Sequence, residues 1–183
     1  MKIVEPVVAM MEKKIASSRV LVSLYSRIYH EVVHNEIKLA AITASDRVLN
    51  IGCGGIPFTA LLIAKFTGAR LWAVDNDQNA VNVARKCIAA QNMDNLISVL
   101  NYDGRDPFPY DFDVALVALQ AEPKQEILDS LIAKGGNEAR LVFRSPRSEV
   151  AHQYDRLPSR PLFNRRIDQK QATFDCSVLY ANL

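Results

Sequence analysis

The chain has 183 residues, 49% hydrophobic and 23% charged, with a formal net charge of +2. This is apolar enough for a globular domain with a sizeable core and too evenly charged for a nucleic-acid binder. No apolar run is long enough to span a bilayer and no signal-peptide pattern opens the chain, while three scattered cysteines, Cys53, Cys87 and Cys176, fit a reducing cytoplasm better than a disulfide framework or a zinc site.

Residues 1–45 read as a helical extension. Val7, Val8, Met10, Met11 and Ile15 come first, and Ser17-Ser18 can break or recap the run. Val20, Leu21, Leu24, Ile28, Val32 and Val33 then recur at helical spacing, followed by Ile37 and Ala40-Ala41. Tyr25 and Tyr29 stand four apart and can pack on one face. His30 and His34 share the spacing of helical metal ligands, but without an HExxH glutamate or a third ligand nearby they read as a solvated pair, and no metal is expected.

From Arg47 the pattern changes. Val48-Leu49-Asn50-Ile51 has the length of a buried parallel strand, Gly52-Cys53-Gly54-Gly55 forces a turn, and a helix from Pro57 or Thr59 closes at Gly68. A second strand, Leu71-Trp72-Ala73-Val74, ends in Asp75. Strand, glycine turn, helix, strand and carboxylate is the plan of a nucleotide-binding βαβ unit. Gly52 and Gly54 let backbone lie against a ligand, and Asp75 can accept both hydroxyls of a ribose. The third glycine of a dinucleotide fingerprint is replaced by Pro57, which disfavours NAD, and no GxxxxGK[ST] is present. A nucleoside without phosphates fits better, and S-adenosylmethionine is the common one.

Asn79 to Gln91 is an amphipathic helix that Asp77 or Asn79 can cap, with Cys87 inward. Ile97 to Leu100 is a third strand, followed by Asn101-Tyr102-Asp103-Gly104, which by itself is a turn signal. Pro107 and Pro109 stiffen a loop before the fourth strand, Val114 to Leu119. Glu122 then lies at that strand's carboxyl end, as a base, an ammonium ligand or a cap for the helix Lys124 to Lys134. Arg140 to Arg144 is the fifth strand, with Arg144 and Arg147 able to hold a carboxylate. Residues 148–162 read as a loop with a short helical turn. Phe163 to Ile167 and Thr173 to Tyr180 read as a closing antiparallel hairpin.

VLNIGCGGIP and AVDNDQNAV resemble motifs I and II of class I S-adenosylmethionine-dependent methyltransferases. In finer detail the chain is similar to the nicotianamine synthase branch, through Gly52, Gly54, Pro57 and Thr59, through Asp75, Asp77 and Ala80, and through a strand ending in Arg144-Ser145. The resemblance covers roughly residues 46–147. It implies an α/β fold, Rossmann-like and doubly wound, with a seven-stranded mostly parallel sheet, a C-terminal antiparallel hairpin and an N-terminal helical extension. Residues 1–45 would form a helical cap and 46–183 the S-adenosylmethionine-binding domain.

The implied cofactor contacts are Asn50, Gly52, Cys53, Gly54, Asp75 and Asn76, with Asp103 at the adenine amino group and Gly104 beside it. Asn50 stands where many methyltransferases carry an acid. The catalytic residue is open, with Tyr25, Glu31 and Glu122 as candidates. The expected activity is methyl transfer to a small molecule. The alternatives are 3-amino-3-carboxypropyl transfer, as in nicotianamine synthases, and a non-catalytic binding or scaffold protein. No nucleic-acid partner and no membrane span are expected; the location expected is cytoplasmic, and a homodimer is an open alternative to a single chain. The chain is far shorter than typical nicotianamine synthases.

Overall fold

Short β-branched runs bounded by glycine, aspartate and proline become strands, and the longer apolar stripes between them become helices. A computed structural model describes residues 18–159 and 163–181. The expected helical residues Val7, Val8, Met10, Met11 and Ile15 lie outside the described residues. Helix α1 (Arg19–Leu39) leads into β1 (Arg47–Ile51), α2 (Phe58–Thr67), β2 (Arg70–Asp75), α3 (Gln78–Ala90), β3 (Ile97–Asn101), β4 (Val114–Val117), α4 (Lys124–Gly135), β5 (Arg140–Pro146), β6 (Phe163–Asp168) and β7 (Phe174–Ala181).

The seven strands form one sheet in the order β3-β2-β1-β4-β5-β7-β6. Strands β1 to β5 are parallel, and β7 runs antiparallel to both β5 and β6. The α/β, doubly wound expectation and the closing hairpin therefore hold. The sheet order reverses between β1 and β4, so the loops leaving their carboxyl ends diverge and open a cleft.

Both faces of the sheet are covered. Val48, Leu71, Ala73, Leu116 and Val142 join a buried cluster with Val22 and Val33 of α1, Leu62 and Ile63 of α2, and Val81 and Ala84 of α3. Leu49, Ile51, Val117, Leu141 and Phe143 pack on the other side against Ile127, Leu128 and Leu131 of α4. The β3–β4 connection on that side contains no helix. Instead, Phe108 and Phe112 of the proline-bounded loop are buried, and Tyr110 stacks on Trp72 with ring centroids 5.4 Å apart.

The local signals explain the helix ends. Asp77, rather than Asn79, caps α3, its side chain accepting from Asn79 N. Gly68 closes α2 in the left-handed conformation at φ 76°, its N–H donating to Ala64 O. On α1, Glu36 is fully buried and paired with Arg144 of β5, which ties the helix to the sheet. Among the described residues no helix is long and apolar enough to cross a membrane.

Candidate active site

The cleft at the carboxyl ends of β1, β2 and β4 has a volume of about 580 Å³. Its walls include every cofactor-contact residue expected from the sequence: Asn50, Gly52, Cys53, Gly54, Asp75, Asn76, Asp103 and Gly104. Gly52 and Gly54 sit at φ 75° and 66°, where only glycine is comfortable. They do different work. A Cβ on Gly52 would lie 3.0 Å from the Ala118 Cβ, so that glycine lets β1 and β4 approach, whereas a Cβ on Gly54 would meet nothing within 4 Å. The open space beside Gly54 is where a ligand can rest on bare backbone.

Asp75 is held by that same turn. Its Oδ2 accepts Gly54 N at 2.8 Å and its Oδ1 accepts Asp77 N at 3.0 Å. Each carboxylate oxygen keeps further acceptor capacity, and the carboxylate is fixed before any hydroxyl arrives. Asp103 is gripped by Arg105, with Nη2 at 2.7 Å from Oδ2 and Nε at 3.0 Å from Oδ1. The Arg105 hydrogen bonds hold the Asp103 carboxyl below its ordinary range. Gly104 has a packing role as well as a place in the wall: a Cβ there would come within 2.8 Å of Ile51 Cγ2. Cys53 is buried, and burial first and the Asp75 charge second push its thiol up to about 12, so it stays protonated and is no nucleophile.

Asn50 presents an unusual group. Its side chain is 3% exposed, its Nδ2 reaches Leu116 O only at 3.4 Å, and its Oδ1 is buried with no partner. Such an atom carries a desolvation penalty until a donor meets it.

At the β4 rim, Gln120, Ala121 and Glu122 line the cleft, with Glu122 exposed. Glu122 does not cap α4. The Lys124 N–H donates instead to Asp155 Oδ2 at 2.6 Å. The Lys124 side chain, which sequence reading left unremarked, is fully buried and donates to Leu119 O at 2.8 Å, pinning the loop that carries Glu122. Burial lowers its pKa.

The remaining candidates separate cleanly. Tyr25 lies on α1, but its side chain is outside the described residues. Glu31 is exposed, 3.9 Å from Lys170, and is absent from the cleft wall because α1 turns it outward beside the buried Val32 and Val33. Tyr29 lines the cleft and stacks on Phe58 at 5.4 Å. His30 and His34 pack edge-on against Phe66, at 5.2 and 6.3 Å.

Arg144 lines the cleft and is 8% exposed. Its Nε and Nη2 each bond a Glu36 oxygen at 2.8 Å, and Nη2 also donates to Thr59 Oγ1 at 2.9 Å. Ser177 Oγ supports Glu36 Oε1 at 2.8 Å, and the Phe174 ring lies 5.3 Å from the guanidinium carbon. Burial opposes the charge on Arg144, but Glu36 outweighs it and holds the guanidinium pKa up. Arg147 is no part of the cleft: it faces Glu149 at 3.5 Å and Gln171 O at 3.4 Å.

Comparison with known proteins follows this geometry. The chain is 26% identical over 120 residues to an L-histidine 2-aminobutanoyltransferase of Yersinia pestis, a match covering 66% of this chain and 45% of that protein. It is 36% identical over 64 residues to the protein of the same name from Pseudomonas aeruginosa, covering 35% of this chain and 24% of the relative. The chain thus spans less than half the length of these curated relatives. Among solved structures, MtNAS in complex with MTA and tNA superposes with a TM-score of 0.79 at 24% identity, over 96% of this chain and 70% of that one. A S-adenosylmethionine-dependent methyltransferase from Methanococcus maripaludis, named as putative, superposes at 0.69 and 14% identity, over 95% and 91%. These likenesses establish the shared fold. A family model described as methyltransferase small domain matches residues 28–137. That match takes in more than half of the sequence, from the middle of α1 through the glycine turn to the end of α4, and the chain belongs to the methyltransferase small domain family.

Proposed function

We propose that this chain binds S-adenosylmethionine across the tips of β1 and β2 and catalyses transfer of one of its alkyl groups to a small-molecule nucleophile, the 3-amino-3-carboxypropyl group being favoured. The observation that carries the reading is the pairing of an open, positive-φ Gly54 with a carboxylate, Asp75, locked onto its N–H. The residues fit the cofactor. Gly54 leaves room for an adenosine, Asp75 is set for ribose hydroxyls, Asp103 and Tyr102 flank the adenine end, and the orphaned Asn50 Oδ1 awaits a donor.

Bound there, the cofactor supplies a sulfonium whose neighbouring carbons are open to attack. The protein's task is then chiefly to position, which is worth up to about 7–11 kcal/mol of barrier. Glu122, at the cleft mouth on a loop pinned by Lys124, stands where it can accept a proton from an amine or hydroxyl acceptor. The acceptor is a small molecule, and no nucleic acid is required.

Support for the aminocarboxypropyl arm comes from the curated relatives, named as 2-aminobutanoyltransferases, and from the fold match to MtNAS, solved with MTA. Support for methyl transfer, the first expectation from the sequence, comes from the family's own description. Product analysis separates the two. Incubation with S-adenosylmethionine and an amino-acid acceptor such as L-histidine is expected to release methylthioadenosine. Release of S-adenosylhomocysteine instead assigns methyl transfer, and failure to bind S-adenosylmethionine at millimolar concentration overturns the cofactor reading in favour of a scaffold.

A further inference from the structure

A second hollow lies beside the cofactor cleft, and we infer that it seats the outer, positively charged end of the acceptor, so that the enzyme selects nucleophiles carrying a cationic group beyond the reacting atom. The inference rests on the transferase reading proposed above and names the class of acceptor.

The hollow has a volume of about 520 Å³ and is walled by Glu122, Pro123 and residues 152–155. Among the described residues, Glu122 is the one that borders both this hollow and the cofactor cleft. An acceptor with its nucleophilic atom at the Glu122 carboxylate therefore has room for the rest of its length here, clear of the cofactor.

Charge decides what that remainder is. The wall holds two carboxylates, Glu122 and Asp155, and no lysine or arginine among the described residues. Arg156, next in the chain, is exposed and outside the wall. Behind the wall sits the buried ammonium of Lys124, on which the charges of both carboxylates act. One positive charge against two negative ones leaves a negative charge uncompensated. An anionic acceptor meets net repulsion there, and a neutral one forfeits the attraction. Tyr154 is half-buried, packed on Val32, Leu119 and Phe174, and keeps an aromatic ring in the same wall. Aromatic faces attract cations.

The wall is also fixed in place. Asp155 Oδ2 accepts Lys124 N at 2.6 Å and its Oδ1 accepts Arg156 N at 2.8 Å, which ties residues 152–155 to the start of α4. Lys124 Nζ ties that start in turn to Leu119 O at 2.8 Å. Each Asp155 oxygen keeps acceptor capacity for a ligand. A cation entering the hollow thus meets a carboxylate that is already oriented, at little further cost in side-chain freedom.

The test compares matched amino-acid probes on the full chain in the presence of methylthioadenosine: L-lysine against L-norleucine, L-arginine against L-citrulline, and L-glutamate as the anionic member. Within each pair the α-amino-acid end is the same and the distal charge differs. Titration calorimetry at low ionic strength should find each cation about 10-fold tighter than its neutral partner, with L-glutamate weakest. Asp155→Asn keeps an oxygen for Lys124 N and removes the charge. It should cut the advantage to about threefold or less and leave methylthioadenosine affinity within about twofold. A thermal melt confirms that the variant is folded; should it fail to fold, the exposed Glu122→Gln reads the same loss of charge. A wild-type chain that binds methylthioadenosine but shows no preference for the cations, absence of any probe binding included, overturns the acceptor seat and leaves the cofactor cleft standing. So does a preference that survives the substitution in a folded chain. If wild type binds neither methylthioadenosine nor S-adenosylmethionine, the cleft reading falls; a cation preference erased by Asp155→Asn then still supports the hollow, and its absence removes the hollow as well.

Discussion

Replacing Asp75 by alanine probes the turn and the proposed ribose contact together. In the folded chain the Asp75 carboxylate accepts Gly54 N at 2.8 Å and Asp77 N at 3.0 Å. Asp75 is only half-buried, so water can reach both amides once the carboxylate is gone, and each lost bond falls in the ordinary range of about 0.5–1.5 kcal/mol. Stability should therefore drop by about 1–3 kcal/mol. The ribose hydroxyls lose a charged acceptor, and one to two charge-assisted bonds correspond to about 3 kcal/mol, or roughly 100-fold in dissociation constant. Asp75→Asn keeps one oxygen but presents an NH₂ to one of the two amides, and should lie between wild type and alanine. Titration calorimetry with S-adenosylmethionine reads the affinity and urea unfolding reads the stability. A dissociation constant within threefold of wild type, in an Asp75→Ala chain that still folds, would refute the ribose assignment whatever the stability change.

Other substitutions test the scaffold. Gly104→Ala should destabilise by about 1–3 kcal/mol, because its Cβ would press to 2.8 Å on Ile51 Cγ2 and 3.4 Å on Ile127 Cγ1; an unchanged urea midpoint would mean that β1 yields more than this packing suggests. Glu36→Ala strands the Arg144 charge in a buried place and should cost about 3–5 kcal/mol, while Glu36→Leu with Arg144→Met should recover most of it. A loss below about 1 kcal/mol for the single change would contradict the buried-pair reading. The three cysteines are buried and free, and should resist a thiol-specific disulfide reagent at pH 8 in the folded chain and react fully in denaturant. Cys53 also gives a pH signature. Its folded-state pKa is raised from the ordinary 9.0 to about 12, so its contribution is whole below pH 9 and fades as pH climbs from there towards 12. Cys53→Ala should flatten that alkaline slope in urea titrations; an identical slope would assign it to other groups.

The βαβ unit was legible because each of its signals is local. Gly52, Gly54 and Gly68 all take positive φ, and Asp75 ends β2 as the alternation of apolar runs implied. What stayed hidden depends on pairing across distance. Nothing in α1 marks Glu36 as the buried partner of Arg144, 108 residues away, because a glutamate on an amphipathic helix normally faces water. The same holds for Lys124, whose buried ammonium is explained only by the Leu119 carbonyl. Glu31 and Tyr29 show the limit of helical spacing: a phase error of two residues exchanges a cleft wall for an exposed surface. The β3–β4 connection read correctly as a proline-stiffened loop, but its role as an apolar cover emerges only when Phe108 and Phe112 are seen standing in for a helix.

That cover has a practical consequence for watching the molecule at work. Trp72 is the sole tryptophan of the chain; it stacks on Tyr110 and touches Phe108 edge-on, and Phe108 in turn meets Tyr102 in the cleft wall. A single indole is thereby wired through two rings to the cleft wall at Tyr102, beside the proposed adenine position. Its emission, excited selectively near the red edge of protein absorbance, reports from one known place without any label. A nucleoside that displaces Tyr102 should shift or quench that signal, giving a stopped-flow handle on ligand entry.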